Sequence, residues 1–100
     1  MKCNSYNTFF TNFANRTNIG IISSLREGSL SVSEISKKVK MEQSAVSHNL
    51  IKLSRCGILS VKQEGKKRIY SLNKETVIPI IELVEKHVKK HCKGGCKNGI

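Results

Sequence analysis

"SVSEISKKVKMEQSAVSHNLIKLSRCGILSVKQEGKKRIYSL", residues 31–72, changes its hydrophobic period partway along, and that change decides the fold. Val32, Ile35 and Val39 recur at helical spacing while Lys37, Lys38 and Lys40 turn outward, with Ser31 or Ser33 as the cap, so the stretch opens on a short surface helix. After a brief turn at Met41, Val46, Leu50 and Leu53 share one face of a second helix that leaves Ser44, Ser47, His48 and Lys52 elsewhere, and Gly57 closes it. From Ile58 the pattern becomes that of strands. Two β-type runs flank a Glu-Gly-Lys-Lys turn, and Leu59 and Val61 are expected to be answered by Ile69 and Leu72.

Working outward, Phe9, Phe10, Phe13, Ile19, Ile21, Ile22 and Leu25 suit one broad amphipathic face, weakened in its middle by Gly20 and ended by Gly28. Beyond the hairpin, Val77, Ile80, Ile81, Val84 and Val88 form the stripe of a last helix with Asn73 as its cap. Pro79 requires either a kink in a helix begun at Asn73 or a start closer to Pro79 itself. No repeat, low-complexity block or Pro/Ser-rich linker interrupts the chain, so residues 1–100 read as one domain with loose ends at 1–7 and 93–100. The expected class is mostly α with a small β-hairpin, a winged helix-turn-helix in the order α-α-α-α-β-β-α.

Composition narrows the partner. A formal charge of +11, from 18 Lys+Arg against 7 Asp+Glu, suits a polyanion, and double-stranded DNA leads over an anionic membrane surface. Aromatic content of 5% without tryptophan argues against the stacking platforms of single-strand binders. No signal peptide or membrane span is read, so the expected location is cytoplasmic and no membrane is expected as partner. Four cysteines in such a compartment point to reduced thiols, metal ligands or redox switches rather than a disulfide framework. No nucleophile, base and orienting acid converge in the sequence, which argues against an enzyme.

A helix-turn-helix lays its second helix in the major groove. The candidate DNA-reading residues are therefore Gln43, Ser44, Ser47, His48, Asn49 and Lys52, joined on the hairpin by Lys62, Lys66, Lys67 and Arg68, which suit phosphates or a minor groove. Alone, a "GKKR" run is usually a solvated turn and a Ser-rich helix start usually a cap; in this order, on so basic a chain, they reinforce one another.

These residues resemble the ArsR/SmtB winged-helix repressors across "LREGSLSVSEISKKVKMEQSAVSHNLIKLSRCGILSVKQEGKKRIYSLN", most specifically in "QSAVSHNLIKL" followed by "EGKKRIYSL". The resemblance implies a homodimer joined by its first and last helices, with Phe9, Phe13, Ile80, Val84 and Val88 as candidate interface residues. It implies binding to an imperfect palindrome, release by an effector, and DNA contact at Ser44, Ser47, His48 and the wing from Gly65 to Arg68. Departures are equally specific. Ser31 and Ser33 stand where family members carry a Cys-x-Cys metal site, and Lys74, Thr76, His87 and Lys90 match an Asp-His-His-Glu site of which only His87 survives. Lys40 replaces the usual turn glycine, and Glu42 the usual Ser or Thr cap, which implies an altered turn or a left-handed non-glycine residue.

The tail "HVKKHCKGGC", residues 87–96, keeps three readings open. His87 and His91, four apart, share a helix face and with Cys92 and Cys96 form a candidate metal set for Zn(II) or Cu(I), acting as effector rather than required cofactor; Cys3 is a further candidate ligand. A thiol redox or sulfur switch is the second reading, and an inert basic helix end the third. Cys56, beside Gly57, reads as a small packing residue. The functional expectation is a homodimeric transcriptional repressor released by a thiophilic metal. Its rivals are a redox-responsive or effector-free DNA binder and a winged-helix module that docks on proteins.

Overall fold

The computed structural model describes residues 6–91. The elements run α1 (Tyr6–Ala14), α2 (Arg16–Ser24), β1 (Leu30–Ser31), α3 (Val32–Val39), α4 (Gln43–Arg55), β2 (Leu59–Glu64), β3 (Lys67–Leu72) and α5 (Val77–His91). This is the expected winged helix-turn-helix with one addition: β1 pairs antiparallel with β3, making a three-stranded sheet in the order β1-β3-β2.

The N-terminal apolar face breaks at Asn15 rather than at Gly20, which lies inside α2. Asn15 is extended, and its side chain accepts from the backbone N–H groups of Thr17 and Asn18, the cap geometry that starts a new helix. Asn18 is buried and donates to the Asn12 carbonyl at 2.8 Å, so the two helices are bound across their own corner. Because α1 begins at Tyr6, the last two residues of the expected loose start are helical, whereas the expected loose tail at 93–100 lies outside the described residues.

Ser31 proves to be the cap of α3: its hydroxyl accepts from the Glu34 N–H while the Glu34 carboxylate accepts from the Ser31 N–H at 2.8 Å, a reciprocal capping box. The helix ends at Lys40, a lysine in the left-handed region at φ 58°, ψ 49°. Ser36 helps fix the turn, accepting the Met41 N–H on its carbonyl and donating its hydroxyl to the Met41 carbonyl. Glu42 caps α4 with its backbone but with no side-chain hydrogen bond.

Packing follows the helical spacing. Ile21, Ile35, Val46, Leu50, Leu53 and Ile58 are fully buried and join α2, α3 and α4 into one core, with Tyr70, Leu72 and Val77 closing it. The hairpin register corrects one expectation: Leu59 opposes Leu72 and Val61 opposes Tyr70, while Ile69 faces Lys62 on the other side of the sheet. Alternation leaves no choice, since moving the register by one residue would take both Tyr70 and Leu72 out of the core. Gly65, at φ 62°, supplies the positive φ that the two-residue turn demands.

For α5 the second of the two alternatives holds. The Asn73 side chain accepts from the N–H groups of Glu75 and Thr76, and the helix starts at Val77, placing Pro79 in the first turn where its missing N–H costs nothing. Val77, Ile78 and Ile81 then face the core, while Leu83, Val84 and Val88 remain exposed. No helix among the described residues is long and apolar enough to cross a membrane.

Candidate nucleic-acid interface

Burial of Val46, Leu50 and Leu53 fixes the roll of α4 about its axis and so decides what it offers outward. Gln43, Ser44, His48 and Lys52 are exposed, and Ser47 is half-buried beside them. Asn49 is also half-buried, on the flank between this face and the core stripe. Lys52 and Arg55 sit in the last turn of α4, so its opening turns present polar donors and acceptors without a lysine or arginine. Such groups discriminate base edges by direct hydrogen bonds.

The wing supplies the positive charge. Lys62, Lys66, Lys67 and Arg68 are all exposed. Among the described residues the single ion pair is Arg26–Glu85, so none of these cations forms an ion pair there. Lys66, Lys67 and Arg68 share a cleft with Gln43 and with Ser31 to Ser33 at the start of α3, whereas Lys62 lies along β2 away from it. Ser33 was not foreseen as part of this surface, because a serine beside a cap looks like capping alone.

The candidate metal residues are only half placed. His87 and His91 are exposed on α5 with ring centroids 4.5 Å apart, while Cys92 and Cys96, like Cys3, lie outside the described residues. Among the described residues no three His, Cys, Asp or Glu side chains gather as a metal site would require. The two family positions for metal fit poorly. Ser31 is engaged in the capping box, and Lys74 and Thr76 precede α5 rather than lying on it. Cys56 is buried as expected at the C-cap of α4, and its sulfur accepts from Asn12 Nδ2 at 3.0 Å. The expectation of a plain packing thiol is corrected in one respect, because Cys56 is disulfide-bonded.

On the opposite side, Phe9 and Phe13 pack partly buried against the core, and Ile80 is half-buried. Val84 and Val88 are exposed together with Tyr6, Phe10 and Leu83. Between α2 and α5 lies an apolar hollow of about 210 Å³ lined by Phe13, Ile22, Ile81 and Val84. Arg26 and Glu85 pair at its edge at 2.8 Å, and this hydrogen bond holds the Glu85 carboxyl below its ordinary range.

Comparison with known proteins agrees with this geometry. Residues 15–61 match the family described as bacterial regulatory protein, arsR family. The transcriptional activator HlyU of Vibrio cholerae is 33% identical over 73 residues, covering 73% of this chain and 68% of that protein. A solved structure of HlyU from Vibrio cholerae superposes with a TM-score of 0.73 at 30% identity, covering 92% of this chain and 99% of the other. A homodimeric winged helix-turn-helix DNA-binding domain, Mb0332 from Mycobacterium bovis, shares the fold with a TM-score of 0.81 at 24% identity, over 88% of this chain and 82% of its own. With the α3–α4 pair, the wing and these relatives in agreement, the chain belongs to the ArsR family and is a winged-helix transcriptional regulator, not an enzyme.

Proposed function

We propose that the protein is a cytoplasmic homodimer that recognises a palindromic double-stranded DNA site and represses by occupying it. The observation that carries this reading is the polar face of Ser44, Ser47 and His48 beside the cations Lys66, Lys67 and Arg68, which form no ion pair among the described residues. A face of that kind reads bases while the cations hold phosphates. The dimer is supported by the exposed Phe10, Leu83, Val84 and Val88, and by the homodimeric state named for Mb0332.

The test selects bound duplexes from a random pool, then measures variants on the selected site and on random duplex. His48→Ala or Ser47→Ala is expected to weaken the selected site by about 1–3 kcal/mol and random duplex much less. Equal loss on both would remove α4 from base reading.

For the effector, the paired rings of His87 and His91 favour a thiophilic ion, Zn(II) or Cu(I), completed by Cys92 or Cys96. Binding would release thiol protons and shift the seam that α5 shares with its partner. The disulfide state of Cys56 at the end of the reading helix favours a thiol response instead. Measuring DNA affinity against Zn(II), and separately under reductant and oxidant, separates them: a Cys92→Ser/Cys96→Ser protein loses the metal response, and a Cys56→Ser protein loses the redox response.

A further inference from the structure

We infer that the cleft between the start of α3 and the wing is a seat for one phosphate group. It has a volume of about 280 Å³, room for a phosphate with water around it. One wall is cationic: Lys66 in the turn, then Lys67 and Arg68 opening β3. The opposite wall is neutral, formed by Ser31 and Ser33 at the first turn of α3 and by Gln43 at the first turn of α4.

No carboxylate lines it. Glu34, the acid in the first turn of α3, is turned to the Ser31 N–H, so it acts on Lys67 only through space and none of the three cations forms an ion pair among the described residues. Arginine offers a planar fork of donors, lysine a movable point charge, and Ser33 and Gln43 neutral donors from the other side, a combination that fits a tetrahedral anion better than a planar carboxylate. Because α3, α4 and the wing all contribute, an anion seated there would join the reading helix to the wing and fix the angle between them.

For the source of the phosphate, the inference rests on the DNA reading above: the cleft lies between the two elements expected on the duplex, so a backbone phosphodiester is the occupant. A free phosphorylated molecule is the other source of the same chemistry, and the experiment separates the two. In the first arm, the protein is titrated with inorganic phosphate against chloride at equal ionic strength while backbone amide NMR shifts are followed. A phosphate seat gives saturable shifts confined to residues 31–34, 43 and 65–68. In the second, the phosphates of a bound duplex are replaced singly by neutral methylphosphonates, and wild type is compared with Arg68→Ala and with Ser33→Asp, which places a carboxylate in the cleft.

For a DNA phosphate, one replacement lowers wild-type affinity about tenfold. The same replacement lowers that of either variant less than twofold. Shifts with free phosphate but no such coupling assign the seat to a free phosphorylated ligand; coupling without shifts assigns it to DNA alone. Neither coupling nor phosphate-specific shifts, on a protein that still binds duplex with strong salt dependence, overturns the seat and leaves the DNA reading standing. Failure to bind any duplex removes the DNA reading, and the first arm then judges the cleft by itself.

Discussion

Replacing Lys40 by glycine should stabilise the protein, although it deletes a side chain and loosens the unfolded chain. Lys40 sits at φ 58°, ψ 49°, the one non-glycine residue with positive φ among those described, and it ends α3 at the turn that sets the approach of α4. An L-residue held there costs about 1–2 kcal/mol, because its Cβ crowds the carbonyl oxygen. Glycine escapes that cost and gives back about 0.4–1 kcal/mol through the greater freedom of the unfolded chain. Lys40 is exposed and has no ion pair, so loss of its side chain adds little. The difference is a net gain of about 0.5–1 kcal/mol, or a rise in Tm of about 3–6 °C for a domain of this size. Urea denaturation followed by far-UV circular dichroism, at one fixed protein concentration because a dimer's stability depends on it, reads this directly. Lys40→Ala is the control: it removes the same charge but keeps the left-handed backbone, so it should be neutral or slightly destabilising. If glycine and alanine behave alike, or glycine lowers the midpoint, the left-handed backbone at Lys40 carries no strain and the reasoning fails.

Hydrogen bonding from the Ser31 backbone, then its hydroxyl, with Lys67 and Lys37 nearby, holds the Glu34 carboxyl below its ordinary pKa. Its contribution to stability is therefore complete above the unfolded value and is lost as pH falls through the lower folded value. Glu34→Gln, which keeps the cap without the charge, should flatten that acid limb of a stability–pH profile; an unaltered limb would assign the acid sensitivity elsewhere. Leu50→Ala, at a fully buried position joining α4 to the core, should cost about 2–5 kcal/mol in the same urea assay, and a loss below about 1 kcal/mol would contradict the packing described. Val84 is half exposed on α5, so Val84→Asp should leave the monomer folded yet shift sedimentation from dimer to monomer at micromolar concentration. A variant that sediments as the wild type does would move the seam off this helix.

The sequence made the helix-turn-helix legible because its signals are local. Apolar spacing found the buried face of α4, the capping serine found the start of α3, and the glycine-lysine turn found the wing. What stayed hidden depended on partners that apolar spacing does not reveal. Asn15 looks like any polar residue in a helical face until its side chain takes the Thr17 and Asn18 N–H groups, so the sequence shows one face weakened at Gly20 where the fold has two helices. Tyr70 was passed over for the more apolar Ile69, though pairing with Leu30 and Val61 is what puts it inside. The cleft was invisible for the same reason: Ser33, Gln43 and Arg68 span thirty-five positions and meet only once β1 has joined α3 to the wing.

The placement of charge divides recognition between two elements and sets salt against itself. Attraction between wing lysines and phosphates is blind to sequence and reaches about 10 Å in 0.1 M salt, whereas a serine or imidazole on α4 acts only within hydrogen-bonding distance. In the proposed complex the wing therefore governs how tightly any duplex is held, and α4 which duplex is preferred. The same excess charge bears on assembly. In the proposed dimer two chains of +11 repel one another, so added salt would screen that repulsion and favour association. Yet the same salt weakens binding to DNA, because each counterion released from a neutralised phosphate gains less entropy in a more concentrated solution. In the proposed complex, seating phosphates along the wings would remove the repulsion that salt otherwise screens, so duplex and dimer would stabilise each other most strongly at low ionic strength, where the free dimer would be weakest. On that proposal the exposed apolar residues of α1 and α5 supply the association that holds before DNA is met, while Val77, Ile78 and Ile81 on α5 serve the core.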